Sequence, residues 1–269
     1  MTLPFSVVFV VVIIPALILL VAIGGVIKQK KEEEKLFRTG VLYLKNLRTL
    51  LMCIQQHRGL TNSFLSGNAA VANEIQKIEG LVNREITGIK AIDGWVRHNA
   101  KWENIVDHWS RMGANYTKLE AEANLKQHNN LIANLLYLID DVAYAHHLGK
   151  LGLVDATDTD WRNLLFIAEY IGQARALGMG AVSKGHCSSV LRIQLNHLRG
   201  KIESNISRAW SDSTRQDFRH FLTTIEQQVI VDKPTISPNE YFTLATGCIE
   251  HVLKEFDQQV ERLQFKSAA

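Results

Sequence analysis

Apolar residues recur along this chain at the alternating three-and-four spacing of helices that pack against other helices. Leu44, Leu47, Leu51 and Ile54 form one seam, the period at which side chains return to one helix face. The next positions on it are Arg58, Thr61 and Leu65. A seam that is apolar for three turns therefore goes on to present a guanidinium to a bundle interior. A second seam, Leu164, Ala168 and Ile171, continues to Arg175 and Gly178. The clearest stripe runs Leu131, Leu135, Leu138 and Val142.

These periods and their breakers predict about eight body helices, near residues 34–65, 70–96, 101–123, 124–147, 159–183, 189–210, 213–231 and 237–265. Residues 149–158 read as a loop, with Thr159 as the cap after it. The last helix has a well-formed start. Ser237 is its cap, Pro238 its first helical residue and Glu240 the closing member of a capping box, a pairing that satisfies free backbone N–H groups. Its inward positions are Tyr241, Ala245, Cys248, Val252 and Phe256. No proline stands between Gly25 and Asp232, and strand-type alternation is scarce. The expected class is all-α.

Ahead of these helices, Phe5 to Ile27 is almost wholly apolar and uncharged. Roughly 23 residues at 1.5 Å each rise about 35 Å, enough for a bilayer. Without a basic segment before it or a small-residue cleavage site after it, the run reads as a transmembrane helix rather than a signal peptide. Lys28, Lys30, Lys31 and Lys35 follow it, and the positive-inside rule places the body in the cytoplasm. The basic run reads as a stop-transfer flank more readily than as a site for anionic lipid. The expected organisation is an inner-membrane anchor over 1–35, a helical domain over 36–266 and a tail at 267–269.

Composition narrows the function. The chain is 46% hydrophobic and 21% charged with a net charge of +3. Its basic residues are dispersed, which argues against nucleic acid. Three cysteines, Cys53, Cys187 and Cys248, show no CxxC spacing and suggest neither disulfides nor zinc. His146 and His147 follow Asp140 and Asp141, yet adjacent histidines diverge by about 100° on a helix and no HExxH spacing occurs. No metal, cofactor or catalytic residue is expected. Trp95, Trp102, Trp109 and Tyr116 are helix-spaced and read as core before partner surface.

The candidate chemistry is therefore the two inward arginines. A guanidinium is a planar fork of donors that matches a planar oxyanion. Burying one without a partner costs several kcal/mol. Either a bound anion or a buried carboxylate, such as Asp140 or Glu169, has to neutralise Arg58. Gly59 and Gly178 allow close backbone approach, and Gln55, Thr61 and Gln173 supply further polar groups for an anion shell.

At these residues the sequence resembles the NIT domain family of nitrate- and nitrite-sensing modules. The segment Gln56-His57-Arg58-Gly59-Leu60-Thr61-Asn62-Ser63-Phe64-Leu65 is similar to the family pattern Q-x-E-R-G-x-[ST]-x-x-[FY]-L. Later segments resembling it are Leu136 to Ala143, Gly172 to Gly180 and Ser237 to Glu250. The resemblance covers roughly residues 40–262. His57 departs from it by replacing the usual glutamate, the loop 152–158 lacks the usual prolines, and 70–127 gives no specific match. The resemblance implies two packed four-helix bundles and nitrate, nitrite or a similar anion held by Arg58 and Arg175. Two facing guanidinium groups would repel when the site is empty. With no output module before Ala269, the resemblance implies a separate output protein, with a homodimer also allowed. The alternative is a membrane-anchored helical scaffold that binds no ligand.

Overall fold

Each predicted seam becomes the buried face of a helix in the computed structural model, which describes residues 14–148, 161–207 and 210–266. Among the described residues eight α-helices form: α1 (Ile14–Leu65), α2 (Ala72–Ile92), α3 (Ala100–Asn115), α4 (Ala121–Ala145), α5 (Trp161–Lys184), α6 (Ser189–Glu203), α7 (Asp212–Thr224) and α8 (Pro238–Lys266). Leu44, Leu47, Leu51, Ile54, Arg58 and Thr61 are all buried on α1. So are Leu131, Leu135, Leu138 and Val142 on α4, and Tyr241, Ala245, Cys248, Val252 and Phe256 on α8.

The helices pack as two groups of four. α1 lies against α2 and α4, and α3 against α4. α5 lies against α8 and α6, and α7 against α8. The groups meet where α1 touches α8 and α4 touches α5, with an Arg48–Asp257 ion pair at 2.7 Å across that seam.

Helix ends follow local chemistry. The Ser237 hydroxyl accepts from the Glu240 N–H at 3.2 Å while the Glu240 carboxylate accepts from the Ser237 N–H at 3.2 Å. Asn99 caps α3 by accepting from Lys101 and Trp102. The sixth helix stops at Glu203, short of its expected end near 210, because the Asn205 side chain takes the Lys201 carbonyl at 2.8 Å, and such local bonds compete with helix continuation. The predicted loop at 149–158, its cap Thr159 and the tail 267–269 lie outside the described residues.

The expected transmembrane anchor is corrected by the structure. Residues 5–13 of that run lie outside the described residues. From Ile14 onward the run and the first body helix form one continuous helix of 52 residues. No helix among the described residues is long and apolar enough to cross a membrane. The described apolar part ends at Ile27, before Lys28, Lys30 and Lys31. The inner-membrane location, the membrane as a partner and the anchor over 1–35 fall with it.

α5 and α8 approach closely at Gly178, where an added Cβ would overlap the Tyr241 ring. Tyr241 is fully buried and donates its hydroxyl to the Ala174 carbonyl at 2.7 Å. Gly178→Ala should therefore cost about 1–3 kcal/mol, whereas Gly80→Ala, in open space on α2, should add up to about 1 kcal/mol. Urea unfolding of both variants checks the pair; equal effects would contradict the α5–α8 contact.

Candidate anion-binding site

The polar residues of the seams converge where the two helix groups meet. Arg58 from α1 is 1% exposed and Glu169 from α5 is 4% exposed. Arg58 Nη1 donates to Glu169 Oε1 at 2.5 Å and to Asn129 Oδ1 of α4 at 2.8 Å. The Glu169 carboxylate also accepts from Gln55 Nε2 at Oε2 and from Gln173 Nε2 at Oε1, each at 2.8 Å. Of the two carboxylates considered for Arg58, Glu169 is thus the partner. Asp140 instead lies 3.4 Å from Arg162 Nε.

Arg58 Nη2 is different. It is buried and has no hydrogen-bond partner among the described residues. It packs against Gly172, where an added Cβ would lie 2.6 Å away, so any side chain at 172 would displace it. This is where glycine allows a close approach. Gly59 faces outward with open space around it.

Arg175 stands one turn beyond Gly172 on α5. It is half-buried, donates Nη1 to Thr246 Oγ1 of α8 at 2.8 Å and lies 4.9 Å above the Phe242 ring. No carboxylate among the described residues is within ion-pairing distance of it. Burial first, and the Arg58 guanidinium second, push its pKa down to about 10, which leaves it charged at neutral pH. The expected mutual repulsion of two bare arginines is therefore modified: Glu169 pairs directly with Arg58 and also attracts Arg175, which has no ion pair of its own.

Thr61 does not join this group. Its hydroxyl donates to the His57 carbonyl at 2.7 Å and accepts from Asn124 Nδ2 at 3.0 Å. It belongs to a neighbouring network built on His57, whose Nδ1 lies 2.8 Å from His128 Nε2. His128 Nδ1 meets the Asn124 carbonyl at 2.8 Å. A carbonyl only accepts, so with both rings neutral His128 Nδ1 carries a proton and its Nε2 accepts from His57 Nδ1–H. His57 Nε2 then offers a lone pair 3.5 Å from Glu79 Oε1. Asn124, His128 and Asn129 were not singled out from the sequence. Extending the Leu131–Val142 stripe backward by three and then four reaches His128 and Asn124, so the same helical period carries the signal.

Other features fit the site less well. A cleft of about 350 Å³ between α2 and α3 is lined by Glu79, Asn83, Val106 and Trp109 among others. Its one charged lining group is a carboxylate, the wrong sign for an anion. No cluster of three metal-ligating side chains occurs among the described residues. His146 instead packs between Tyr43 and Trp95.

A family profile described as NIT, nitrate and nitrite sensing, matches residues 49–263, and the chain belongs to that family. No curated protein matches. Among solved structures, that of the NasR transcription antiterminator is similar to this chain at 17% identity and a TM-score of 0.67, covering 93% of this chain and 74% of that one. The fold thus occurs in a protein that is itself an antiterminator, and the expectation that a separate output protein is required is withdrawn.

Arg58→Ala leaves the Glu169 carboxylate buried without its cation and should cost about 3–5 kcal/mol in denaturant unfolding. A loss under about 1 kcal/mol would mean that the pair is solvated. A second expectation concerns pH. Burial lowers His57 from 6.5 to about 4 and moves His128 in the same direction. Both rings stay neutral in the fold while the unfolded chain protonates, so this contribution is complete above about pH 6.5 and is lost as pH falls towards 4. The slope is about 1.4 kcal/mol per pH unit for each ring. Unfolding free energies at pH 7 and 5 should differ by about 2–4 kcal/mol from this source, and the double variant His57→Gln, His128→Gln should flatten the difference. An unchanged slope in that variant would place the protons elsewhere.

Proposed function

We propose that this protein is a regulatory sensor that binds nitrate, nitrite or a similar small oxyanion at the junction of its two helix groups. The observation that carries this reading is Arg175. It is a half-buried guanidinium with no carboxylate among the described residues at ion-pairing distance, held by Thr246 and Phe242 of α8. Beside it, the free Nη2 of Arg58 supplies a second, fully buried donor. A planar anion between the two guanidinium groups would take up both. Family membership supports this choice of ligand. Gln55 and Gln173 serve the site indirectly, by holding Glu169.

Binding would act on the fold because its donors come from different groups: Arg58 on α1, Arg175 on α5 and, behind Arg175, α8. Drawing them together shifts α1 against α5 and α8 by an ångström or two, the usual scale of interface helix shifts. Ligand size limits the affinity. Four heavy atoms at a ceiling of about 1.5 kcal/mol each give about −6 kcal/mol, a Kd of tens of micromolar.

Thermal unfolding of the full chain in nitrate, nitrite, chloride and sulfate tests the reading. Ligand at 100 times Kd adds about 2.7 kcal/mol, a rise of roughly 5–10 °C at this size. Arg175→Gln should abolish the nitrate-dependent rise while leaving the unliganded melting temperature within a few degrees, because no ion pair is broken. No selective shift in the unsubstituted protein would leave a helical scaffold without a ligand.

A further inference from the structure

The charges at the seam do not cancel. Arg58 and Arg175 contribute two positive charges and Glu169 one negative, and the other groups that hydrogen-bond to these three, Gln55, Asn129, Gln173 and Thr246, are neutral. The site carries +1 in a place where Arg58 and Glu169 are almost wholly removed from water. Charge imbalance in such surroundings is costly in either direction. An anion of charge −1 brings the seam to neutrality. An anion of charge −2 exchanges one uncompensated charge for another.

Glu169 is also held in place too firmly to move aside. Its two oxygens receive Arg58 Nη1, Gln173 Nε2 and Gln55 Nε2, contributed by α1 and α5. Both amides present N–H groups to it, the arrangement that suits an ionised carboxylate. The donors left for a ligand are therefore those which Glu169 does not use, Arg58 Nη2 and the Arg175 guanidinium.

We propose that Glu169 is the specificity-determining residue of the anion site: by cancelling one of two arginines it restricts the site to singly charged oxyanions and excludes divalent ones such as sulfate and hydrogen phosphate. This rests on the reading of Arg58 and Arg175 as anion donors. In Glu169→Gln the amide keeps the shape, Gln55 and Gln173 can turn their own amides to match it, and the site charge becomes +2. The substituted site then favours a dianion.

The test is calorimetric titration of the full chain with sodium nitrate and with sodium sulfate at one fixed ionic strength. The unsubstituted protein should bind nitrate with at least a tenfold preference over sulfate. Glu169→Gln should shift that ratio at least tenfold towards sulfate, and sulfate should raise its melting temperature more than nitrate does. Should Glu169→Gln fail to fold, Gln173→Glu at a half-buried position brings the site to zero charge. It should weaken nitrate binding at least tenfold, where Gln173→Ala weakens it less than threefold. Nitrate binding with a ratio that Glu169→Gln leaves unchanged, or equal effects of Gln173→Glu and Gln173→Ala, would overturn the role of Glu169 and leave the anion site standing. Equal binding of sulfate and nitrate by the unsubstituted protein would overturn it as well. No nitrate binding at all would remove the anion reading and this inference with it.

Discussion

The buried ion pair between Arg58 and Glu169 sets the register between the two halves of the molecule. Its members come from α1 and α5, one in each group of four helices. Taking two charges out of water is expensive, and their attraction repays that only where geometry is good and the remaining lone pairs and protons are satisfied. Here Gln55, Gln173 and Asn129 supply the additional hydrogen bonds. The pair also requires Gly172, since the Arg58 guanidinium occupies the space a side chain there would need. A slide of α1 along α5 would break several of these contacts at once. The seam therefore has one well-defined resting arrangement.

That same economy leaves a deliberate remainder. One nitrogen of Arg58 and the charge of Arg175 have no carboxylate among the described residues. A ligand can shift an equilibrium only by binding one arrangement better than another. Donors spread over α1 and α5, with α8 behind Arg175, meet that condition, because the distance between them depends on how the halves sit. In the proposed reading, the ligand changes the seam by using donors the resting state does not, rather than by displacing Glu169. α1 is well suited to carry such a change outward: it continues from the buried seam to an exposed, unpacked stretch before Phe37.

His57, which departs from the family pattern, is absorbed by the structure without a charge. It stacks edge-on with Trp109 and Tyr116 and hydrogen-bonds His128. Each ring sits one residue from a member of the Arg58–Glu169 cluster, His57 beside Arg58 on α1 and His128 beside Asn129 on α4. Burial keeps both rings neutral, so the substitution adds no positive charge next to a site already at +1. A glutamate in the same place would put a negative charge one residue from Arg58; the histidine pair avoids that.

The sequence by itself determined the helices, their inward faces and the two arginines. Spacing of three and four along Leu44–Arg58, Leu164–Arg175 and Tyr241–Phe256 is a local property, fixed by 3.6 residues per turn, and it survives into the fold unchanged. Capping at Ser237 and Glu240 was legible for the same reason. What lay beyond it was every question of which face meets which. Glu169 and Asp140 were equal partners for Arg58 until the fold brought Glu169 of α5, rather than the end of α4, to Arg58 near the C-terminal end of α1. Thr61 sits three residues from Arg58 yet serves the histidine network, and Gly172, not Gly59, is the glycine that admits the guanidinium. The apolar run before Lys28 matched a membrane span in composition but, where described, is one part of a helix longer than itself. Periodicity says where a side chain points from its own helix axis; only the crossing of helices 71 to 114 residues apart, as between Gln55 and Glu169 or Arg175 and Thr246, decides what it finds there.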